Sequence, residues 1–550
     1  MTFWSFSSGQ NRHISPGNMH PSLRANSAKR GISLRAPALY FLRSALVAAA
    51  VVAFLTLLPL FSQQKPRSFL IVNARVADGT GAPVYRANVR VAFSHIVGMG
   101  ELQAEKDEPT INAHGLVLAP GFIDIHNHSE DGLPKDPLAE TQIAQGITTI
   151  ILGADGESPW PIIGWLRSIE QTHTSLNVGT FAGHATIREL AMHQDYKRPA
   201  TPEEIHQMEQ FLGQAMSQQA LGLSSGLEYD VGSYSTTDEL IALARIAAEG
   251  GGIYMTHIRD EADKSFEALN EEISIAERAH IPVEHSHIKL GTVGVQGKAA
   301  AYIKIIEDAR KRGVDFLADC YPYDAWHSNL KVLVPDKRYT ESKSVGKALA
   351  DVGGASHITI VEFSPNPSYV GHTLADLAKS VGVSDVAMYI RLIREGDAAN
   401  TEALVIGQSM IESDIKAFYQ RPWVMVASDG GIASAHPRGA GTFPRVLGVY
   451  VREKRWLTLP EAIRKMTSLP AQRLGWKDRG VIREGAFADL VLFNPDTVID
   501  RSTYTNPTAL PAGIEKVFVN GVLVWDSDKP TGERPGLDLG RGGRPNELLN

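Results

Sequence analysis

Cysteine is nearly absent from the sequence, because the 550 residues contain only one, Cys320. A single thiol excludes a disulfide framework and a zinc site built from several thiolates. A basic excess is missing too: the net charge is −7 and no basic stripe runs through the body of the chain, which argues against nucleic-acid binding. Any metal in this protein must therefore be held by histidine and carboxylate side chains.

Acidic residues are missing from the first 43 residues, which hold six basic residues. Residues 44–61 follow as an uncharged apolar run that is long enough to cross a bilayer core as a helix. Basic residues before such a run favour a cytoplasmic N-terminus, and a secretory signal has the same layout. We therefore expect residues 1–64 to export the protein or anchor it in a membrane, as a cleaved signal or an uncleaved anchor. The rest would lie outside the cytoplasm, on the periplasmic side in a Gram-negative bacterium.

The composition, with 43% apolar and 21% charged residues, is that of a globular protein, and the length exceeds one ordinary domain. Short apolar strands separated by turns occupy both flanks, 65–118 and 476–530. The second flank contains the hairpin signal Asn520-Gly521. We predict that the two flanks build one small β-sandwich and that residues 531–550 form a C-terminal tail.

The central region, 119–475, alternates apolar strand-like runs with helical stretches, one of which begins with a capping box of Thr201 and Glu204. Eight strand–helix units are typical of a parallel (β/α)₈ barrel, an α/β fold whose active site lies at the C-terminal ends of the strands. A long insertion, about 324–420, is expected to cover the barrel mouth. The strand-like runs are GFIDIH, GITTIILG, LNVGTFAG, LGLSSGLE, GGIYMTH, IPVEHSH, VDFLADCY and WVMVASD.

Histidines end three of these runs. His126 and His128 end the first, and because alternate residues of a strand point the same way, their imidazoles can share one divalent ion. His257 ends the fifth run and His287 the sixth. A lone histidine at such a place is more often a core residue, but histidines at several equivalent strand ends indicate a metal cluster. His285 has the same parity as His287 and is expected beside that cluster.

Carboxylates end three further runs. Asp429 follows the eighth, where a carboxylate beside a hydrolytic metal can accept a proton from water and return it to a leaving amine. Asp155 follows the second run and Glu228 the fourth, and both are candidates for further, bridging metal ligands. Each also has a structural interpretation: an Asp-Gly turn for Asp429, and a helix N-cap or a loop acid for the other two.

Taken together, these residues resemble the amidohydrolase superfamily, and specifically the D-aminoacylase (N-acyl-D-amino-acid deacylase) family, over residues 69–530. The resemblance implies one or two divalent ions, zinc first among the candidates, on His126, His128, His257 and His287, with Asp429 as the catalytic acid–base and a candidate ligand. The motifs that carry it are APGFIDIHNH, QGITTI, GLSSGLEY, THIRDE, SHIK, DCYPY, ASDG, HPRGAGTFPRVLG, GAFADLVLFNP and VFVNGVLV.

The resemblance also implies four residues that hold the substrate: Tyr229, Lys289, Tyr321 and Arg438. An arginine offers a bidentate fork to a carboxylate and a lysine adds a point charge. A free amino-acid carboxylate is the group that such a pair would hold.

The sequence departs from the family pattern at two places. D-aminoacylases carry a metal-binding cysteine after the second strand, where this sequence has Asp155, a harder ligand than a thiolate. The segment after Tyr321-Pro322-Tyr323 continues as DAWHS, so the pocket for the acyl group or the side chain is expected to differ.

The activity that the resemblance implies is metal-dependent hydrolysis of the amide bond of N-acyl amino acids, with preference for the D enantiomer. A dipeptidase would use the same pocket, since a dipeptide is itself an N-acyl amino acid. A cyclic-amide hydrolase generally uses a carbamylated lysine on the fourth strand, and LGLSSGLEYD contains no lysine. A membrane-tethered binding protein on an inactive barrel is the alternative of another class, and the complete set of four histidines and one aspartate argues against it.

Overall fold

The computed structural model describes residues 68–546. The apolar run 44–61 lies outside these residues, so export or anchoring stays a prediction. Between residues 68 and 546, no helix combines the length and the apolar character that crossing a membrane requires.

Short strands make up most of the framework of the molecule. In chain order they are β1 (Ser68–Val76), β2 (Tyr85–Ala92), β3 (His95–Gly100), β4 (Thr110–Asn112), β5 (Val117–Pro120), β6 (Phe122–Asp124), β7 (Ile147–Leu152), β8 (Asn177–Thr180), β9 (Ala182–Gly183), β10 (Gly222–Gly226), β11 (Ile253–His257), β12 (Val283–His285), β13 (Phe316–Cys320), β14 (Trp326–Asn329), β15 (Ile358–Glu362), β16 (Leu404–Gly407), β17 (Val424–Val426), β18 (Leu490–Phe493), β19 (Ile514–Val519), β20 (Val522–Asp526) and β21 (Lys529–Pro530).

Helices alternate with the central strands. They are α1 (Glu140–Ile143), α2 (Ile162–Thr172), α3 (His184–Met192), α4 (Pro202–Ser217), α5 (Thr237–Glu249), α6 (Ser265–Ala279), α7 (Ala299–Lys311), α8 (Ser342–Asp351), α9 (Leu374–Val381), α10 (Asp385–Ala398), α11 (Glu412–Tyr419), α12 (Arg438–Arg445), continued by a π-helical stretch (Val446–Glu453), α13 (Leu459–Met466) and α14 (Ser468–Arg473). The predicted capping box is present at the start of α4, where Thr201 and Glu204 exchange hydrogen bonds.

A parallel barrel occupies the centre. One sheet has the order β17-β13-β12-β11-β10-β9 and a second the order β6-β7-β8. Only Phe181 separates β8 from β9. At the other junction, the Asp429 N–H donates to the His126 carbonyl oxygen at 2.9 Å, beside a parallel bridge between Asn127 and Gly430. The two sheets therefore join at both junctions into a closed barrel of eight strand positions, and the predicted (β/α)₈ barrel is confirmed.

The barrel strands are apolar on both faces because both faces are buried. Ile151, Phe181, Met255 and Met425 belong to a core inside the barrel. Neighbouring positions such as Ile150 belong to the larger core between the strands and the helices. This double burial explains why these segments read as continuous apolar runs rather than as alternating ones.

Strands from both ends of the chain pair into one nine-stranded sheet, in the order β21-β20-β19-β18-β5-β1-β2-β3, with β4 on β1. Along β18, Leu490 and Leu492 join a core of this sheet's own, whereas Val491 and Phe493 join the barrel-side core. The predicted β-sandwich module built from both flanks is thereby confirmed, while its exact limits stay predictions.

The chain between β13 and β17 contains a three-stranded antiparallel sheet, β14-β16-β15, and helices α8 to α10. It contacts loops at the C-terminal ends of barrel strands. Lys347 Nζ lies 2.6 Å from Asp263 Oδ2 in the loop after β11, and the Val293 N–H in the loop after β12 donates to the Asp351 carbonyl oxygen at 2.8 Å. The insertion therefore lies on the face of the barrel where the predicted site residues converge.

Residues 531–546 pack against the barrel. The Leu539 N–H donates to the Val178 carbonyl oxygen on β8 at 2.7 Å, and the Leu539 side chain is buried with the residues inside the barrel. The Gly536 N–H donates to the Thr174 carbonyl oxygen at 2.8 Å. The part of the predicted C-terminal tail that the structure describes is thus bound to the barrel.

Candidate metal centre and active site

The predicted metal ligands meet at the C-terminal ends of the barrel strands. One group joins His126, His128, Asp155 and Asp429, and a second joins Asp155, His257 and His287. Within each group, one ligand atom per residue lies within 4.8 Å of all the others. These residues are far apart in sequence, so only the closed barrel brings them together.

The first group surrounds a space suited to one cation. His126 Nε2 lies 3.3 Å from His128 Nε2 and 3.4 Å from Asp155 Oδ2. Asp429 Oδ1 is 3.5 Å from His126 Nε2 and 3.3 Å from His128 Nε2. The His128 side chain is 36% exposed and that of His126 is 0% exposed, so His128 lies at the open side of the group.

Asp155 belongs to both groups. In the second group, His257 Nδ1 lies 2.9 Å from His287 Nε2, and His287 Nε2 lies 3.7 Å from Asp155 Oδ2. Asp155 Oδ1 is buried and has no hydrogen-bond partner among the described residues. Imidazole nitrogens and carboxylate oxygens in this arrangement fit Zn²⁺, and a shared carboxylate with a free oxygen fits a bridge between two ions.

Three of these residues have left-handed backbone conformations. The φ angles are 54° at Asp155, 35° at His287 and 47° at Asp429. Residues other than glycine rarely adopt such angles, and they persist where the surrounding structure holds them. Each follows closely on the end of a barrel strand, so the turn directs its side chain toward the centre of the barrel mouth.

His285 does not join the cluster. It is the last residue of β12, its Nδ1 lies 2.5 Å from Glu272 Oε2 on α6, and its ring packs against Tyr302 and Phe316. The prediction that His285 lies beside the metal cluster is therefore wrong. The turn at His287 ends the strand alternation on which that prediction relied.

The far ring nitrogens of the histidines have acidic partners. His126 Nδ1 lies 3.4 Å from Asp319 Oδ2, and the other oxygen of Asp319 accepts a hydrogen bond from the backbone N–H of His287 at 2.9 Å. Sequence reasoning missed Asp319, although it stands in the FLADC run of β13 as a fully buried acid in an apolar strand. A buried charge in such a strand requires a partner, and that was the signal available.

Glu228 lies on the far side of His257. Its Oε2 is 3.0 Å from His257 Nε2, outside the two groups that Asp155 joins. Glu228, His257 and Glu261 form a third set of donor atoms within 4.8 Å of one another. Glu261 was also missed, although it stands four residues after His257 in the THIRDE motif.

The predicted substrate residues surround the same centre. Lys289 Nζ contacts Glu261 at 2.6 Å and His287 Nδ1 at 2.9 Å. The Tyr229 hydroxyl lies 3.2 Å from His257 Nδ1. Arg438 Nη1 pairs with Asp429 Oδ2 at 2.6 Å, and its guanidinium carbon lies 4.7 Å from the centre of the Tyr321 ring.

Charge compensation dominates the electrostatics of the cluster. Burial lowers the pKa of His128, but Asp155 and Asp429 outweigh burial and raise it to about 10. Burial likewise raises the pKa of Asp429, but Arg438, His287 and His126 outweigh it and hold that pKa below its usual range. Protons on imidazoles thus neutralise the carboxylates, and a divalent cation can take their place.

Comparison with known proteins agrees with this geometry. Residues 109–525 match the model of the Amidohydrolase family. The chain belongs to that family. This amidohydrolase is 35% identical to the N-acyl-D-glutamate deacylase of Alcaligenes xylosoxydans xylosoxydans, over 87% of this chain and 97% of the relative. It is 32% identical to the D-aminoacylase of the same organism, over 87% of this chain and 99% of the relative.

A solved structure gives the same result. The N-acyl-D-glutamate deacylase from Bordetella bronchiseptica, complexed with zinc and a phosphonate mimic of the tetrahedral intermediate, matches with a TM-score of 0.78 and 34% identity. The match covers 86% of this amidohydrolase and 99% of that chain. The resemblance to the D-aminoacylase family read from the motifs is thereby confirmed.

Proposed function

We infer that this amidohydrolase is a zinc-dependent deacylase of N-acyl-D-amino acids, which releases a carboxylic acid and a free amino acid. The observation that carries the inference is the convergence of His126, His128, His257 and His287 on a shared carboxylate, with Asp429 against them. The D configuration is proposed from the relatives, whose names specify it.

Two ions fit the site, one in each ligand group, with Asp155 as the shared ligand. Zinc held there would supply Lewis-acid chemistry, polarising the amide carbonyl and lowering the pKa of water. The other ring nitrogens of the histidines orient them for this role: His257 Nε2–H donates to Glu228, and His287 Nδ1–H donates to Glu261 at 3.2 Å. Glu228 is accordingly proposed as a residue that positions His257.

Asp429 is proposed as the catalytic acid–base. Its Oδ2 is held by Arg438 at 2.6 Å, which directs Oδ1 toward the two histidines of the first group. Oδ1 can therefore accept the proton of the attacking water and deliver it to the leaving nitrogen. Proximity to Arg438 keeps the carboxylate ionised, so it is ready to accept that proton.

The amino-acid part of the substrate is proposed to bind on the Arg438 side of the cluster, where Tyr321 packs against the guanidinium. Lys289 is proposed to add a second positive charge for the substrate carboxylate, from the His287 side of the cluster, where it also pairs with Glu261. These residues would hold the carboxylate of the substrate's amino acid at a fixed distance from the scissile amide, which contributes to catalysis by positioning.

The test is release of amino acid by the zinc-loaded full chain from N-acetyl-D-amino acids, their L enantiomers, dipeptides and a dihydropyrimidine. We expect hydrolysis of the D substrates above all others. Asp429→Asn should lower kcat about a thousandfold, because it removes the general base, while zinc bound through the histidines is largely kept. A wild-type chain that binds zinc but releases no amino acid from any N-acyl substrate would contradict the proposal, as would an Asn variant as active as wild type.

Residues 1–64 are proposed to export this amidohydrolase or anchor it in a membrane. The support is the basic segment followed by the uncharged run 44–61. Fractionation of cells that produce the full chain should place activity outside the cytoplasm. Activity confined to the cytoplasmic fraction would contradict this localisation.

A further inference from the structure

The insertion contributes one imidazole whose polar edge the site described so far does not use. His327 lies on β14, and its Nε2 is buried without a hydrogen-bond partner in residues 68–546. A buried polar group in a folded protein normally has a partner, in the protein, in water or in a ligand. We therefore expect a group outside the described chain to form a hydrogen bond with this nitrogen.

His327 adjoins Arg438 on the substrate side of the cluster. Arg438 Nη2 donates to the His327 carbonyl oxygen at 3.4 Å. The charges of Arg438, Asp429 and His128 act on the His327 ring and shift its pKa. The ring thus belongs to the same wall of the site as the guanidinium.

The neighbouring His436 shows how a buried imidazole of this region is satisfied by the protein. Its Nε2 lies 3.1 Å from the Ala325 carbonyl oxygen, and its Nδ1 accepts the Arg438 N–H at 3.0 Å. The rings of His436 and His327 are 6.5 Å apart, centre to centre. One imidazole of the pair is therefore fully paired, and the other presents a free nitrogen.

Arg438 also keeps an unused donor. Its Nη1 is taken by Asp429, but its Nε is buried without a partner among the residues that the structure describes. Burial and Arg438 lower the pKa of His327 to about 4, so its ring is neutral at neutral pH and can donate one N–H. Two unused nitrogen donors on adjacent side chains fit the two oxygens of a carboxylate.

We propose that His327, through Nε2–H, donates a hydrogen bond to the carboxylate of the substrate's amino acid, alongside Arg438. The proposal rests on the proposed deacylase function and adds a substrate-binding residue that the insertion supplies. His327 then selects substrates with a free carboxylate over those in which it is blocked.

The test compares His327→Leu, which removes the donor, with His327→Gln, which keeps an N–H at similar reach. His206→Leu on the exposed surface of α4 is the matched control. Each zinc-loaded full chain is assayed with the N-acetyl amino acid that the wild type hydrolyses best and with its uncharged C-terminal amide. Zinc per chain is measured in parallel.

We expect His327→Leu to raise KM for the acid about tenfold, the loss typical of a hydrogen bond to a charged group. Its kcat should stay close to that of the wild type, and KM for the amide and the zinc content should not change. His327→Gln should recover most of the loss, and His206→Leu should match the wild type.

Three results would overturn the role of His327: an unchanged KM for the acid in His327→Leu, an equal rise in KM for acid and amide, or loss of zinc. Failure of the proposed function looks different, because the wild-type chain itself would then hydrolyse no N-acyl amino acid, and the inference would fall with it.

Discussion

Asp155 is the residue that both ligand groups share, so its side chain determines whether the site can hold one metal ion or two. Its Oδ2 lies near His126, His128 and His287, and its Oδ1 is free of protein partners within the described chain. A carboxylate has two oxygens at a fixed separation, so it can bind one ion with each. A carboxylate also favours harder cations than the cysteine of the family pattern does.

Replacing Asp155 by asparagine should lower the zinc content of the purified chain from two ions to about one, because the second group keeps only two histidines. Asparagine tolerates the left-handed backbone at this position, so the change removes the charge and leaves the turn. Zinc per chain, measured by elemental analysis after dialysis, checks the prediction. Asp155→Cys is the control, since a thiolate restores a ligand. Two tightly held ions in the asparagine variant would show that Asp155 is not shared.

The sequence predicted the residues of the metal cluster but not the acidic residues that contact their ring nitrogens. His126, His128, His257, His287 and Asp429 could be chosen because each ends a recognisable strand. Their partners could not be chosen in the same way. Asp319 reaches the His126 ring nitrogen, and Glu261 that of His287, only through distances across the barrel, which no spacing along the chain encodes.

At the scale of secondary structure, the turns that follow the barrel strands position the residues of the metal cluster. The turns after β7, β12 and β17 each contain a left-handed residue that belongs to the metal cluster. Parity along a strand predicted His126 and His128, which lie two and four residues beyond Asp124, the last residue of β6. It failed for His285, because β12 ends there and the chain turns before His287.

The C-terminal segment on β8 carries a group that makes its packing depend on pH. Burial raises the pKa of Asp538 from 3.8 to about 7, because it outweighs a hydrogen bond with Asn546 that lowers the pKa; the charge of Glu170 adds a smaller increase. A carboxyl whose pKa is higher in the folded than in the unfolded chain binds a proton on folding. The unfolding free energy contributed by this group therefore falls as pH rises from about 4 to 7.

Asp538→Asn should remove that dependence. We expect the stability advantage of the variant over the wild type to grow by about 2 kcal/mol between pH 5 and pH 8, because the wild type must bury a charge at the higher pH. Urea unfolding at the two pH values measures it. The exposed Asp528→Asn is the matched control. An advantage that shrinks toward pH 8 would mean that the carboxylate is stabilised in the folded chain.

On the scale of the whole molecule, one buried arginine joins the barrel, the sheet from both chain ends and the C-terminal segment. Arg479 pairs with Asp489 and donates to Asn520 Oδ1 at 3.0 Å and to the Gly543 carbonyl oxygen at 2.7 Å. Asn520 in turn donates to Asn177 Oδ1 on β8 at 2.7 Å. These contacts connect parts that are hundreds of residues apart.

Arg479→Met should destabilise the folded chain by about 3 kcal/mol or more, since it leaves the Asp489 carboxylate buried without its counter-ion. Arg483→Met is the matched control, because Arg483 pairs with Asp478 on the surface, where an ion pair contributes about 1 kcal/mol or less. Thermal unfolding of both variants gives the comparison. Similar melting temperatures for the two would refute the linking role of Arg479.

By itself the sequence determined the class of fold and the chemistry of the site. Apolar runs buried on both faces predict a parallel barrel, and the residues at their ends supply imidazoles and carboxylates, because strand ends meet on one face of such a barrel. Tertiary structure alone decided which acid serves which histidine, that His285 faces the helices, and that the C-terminal segment packs on β8. These depend on distances between residues remote in the chain, and a linear pattern carries no record of them.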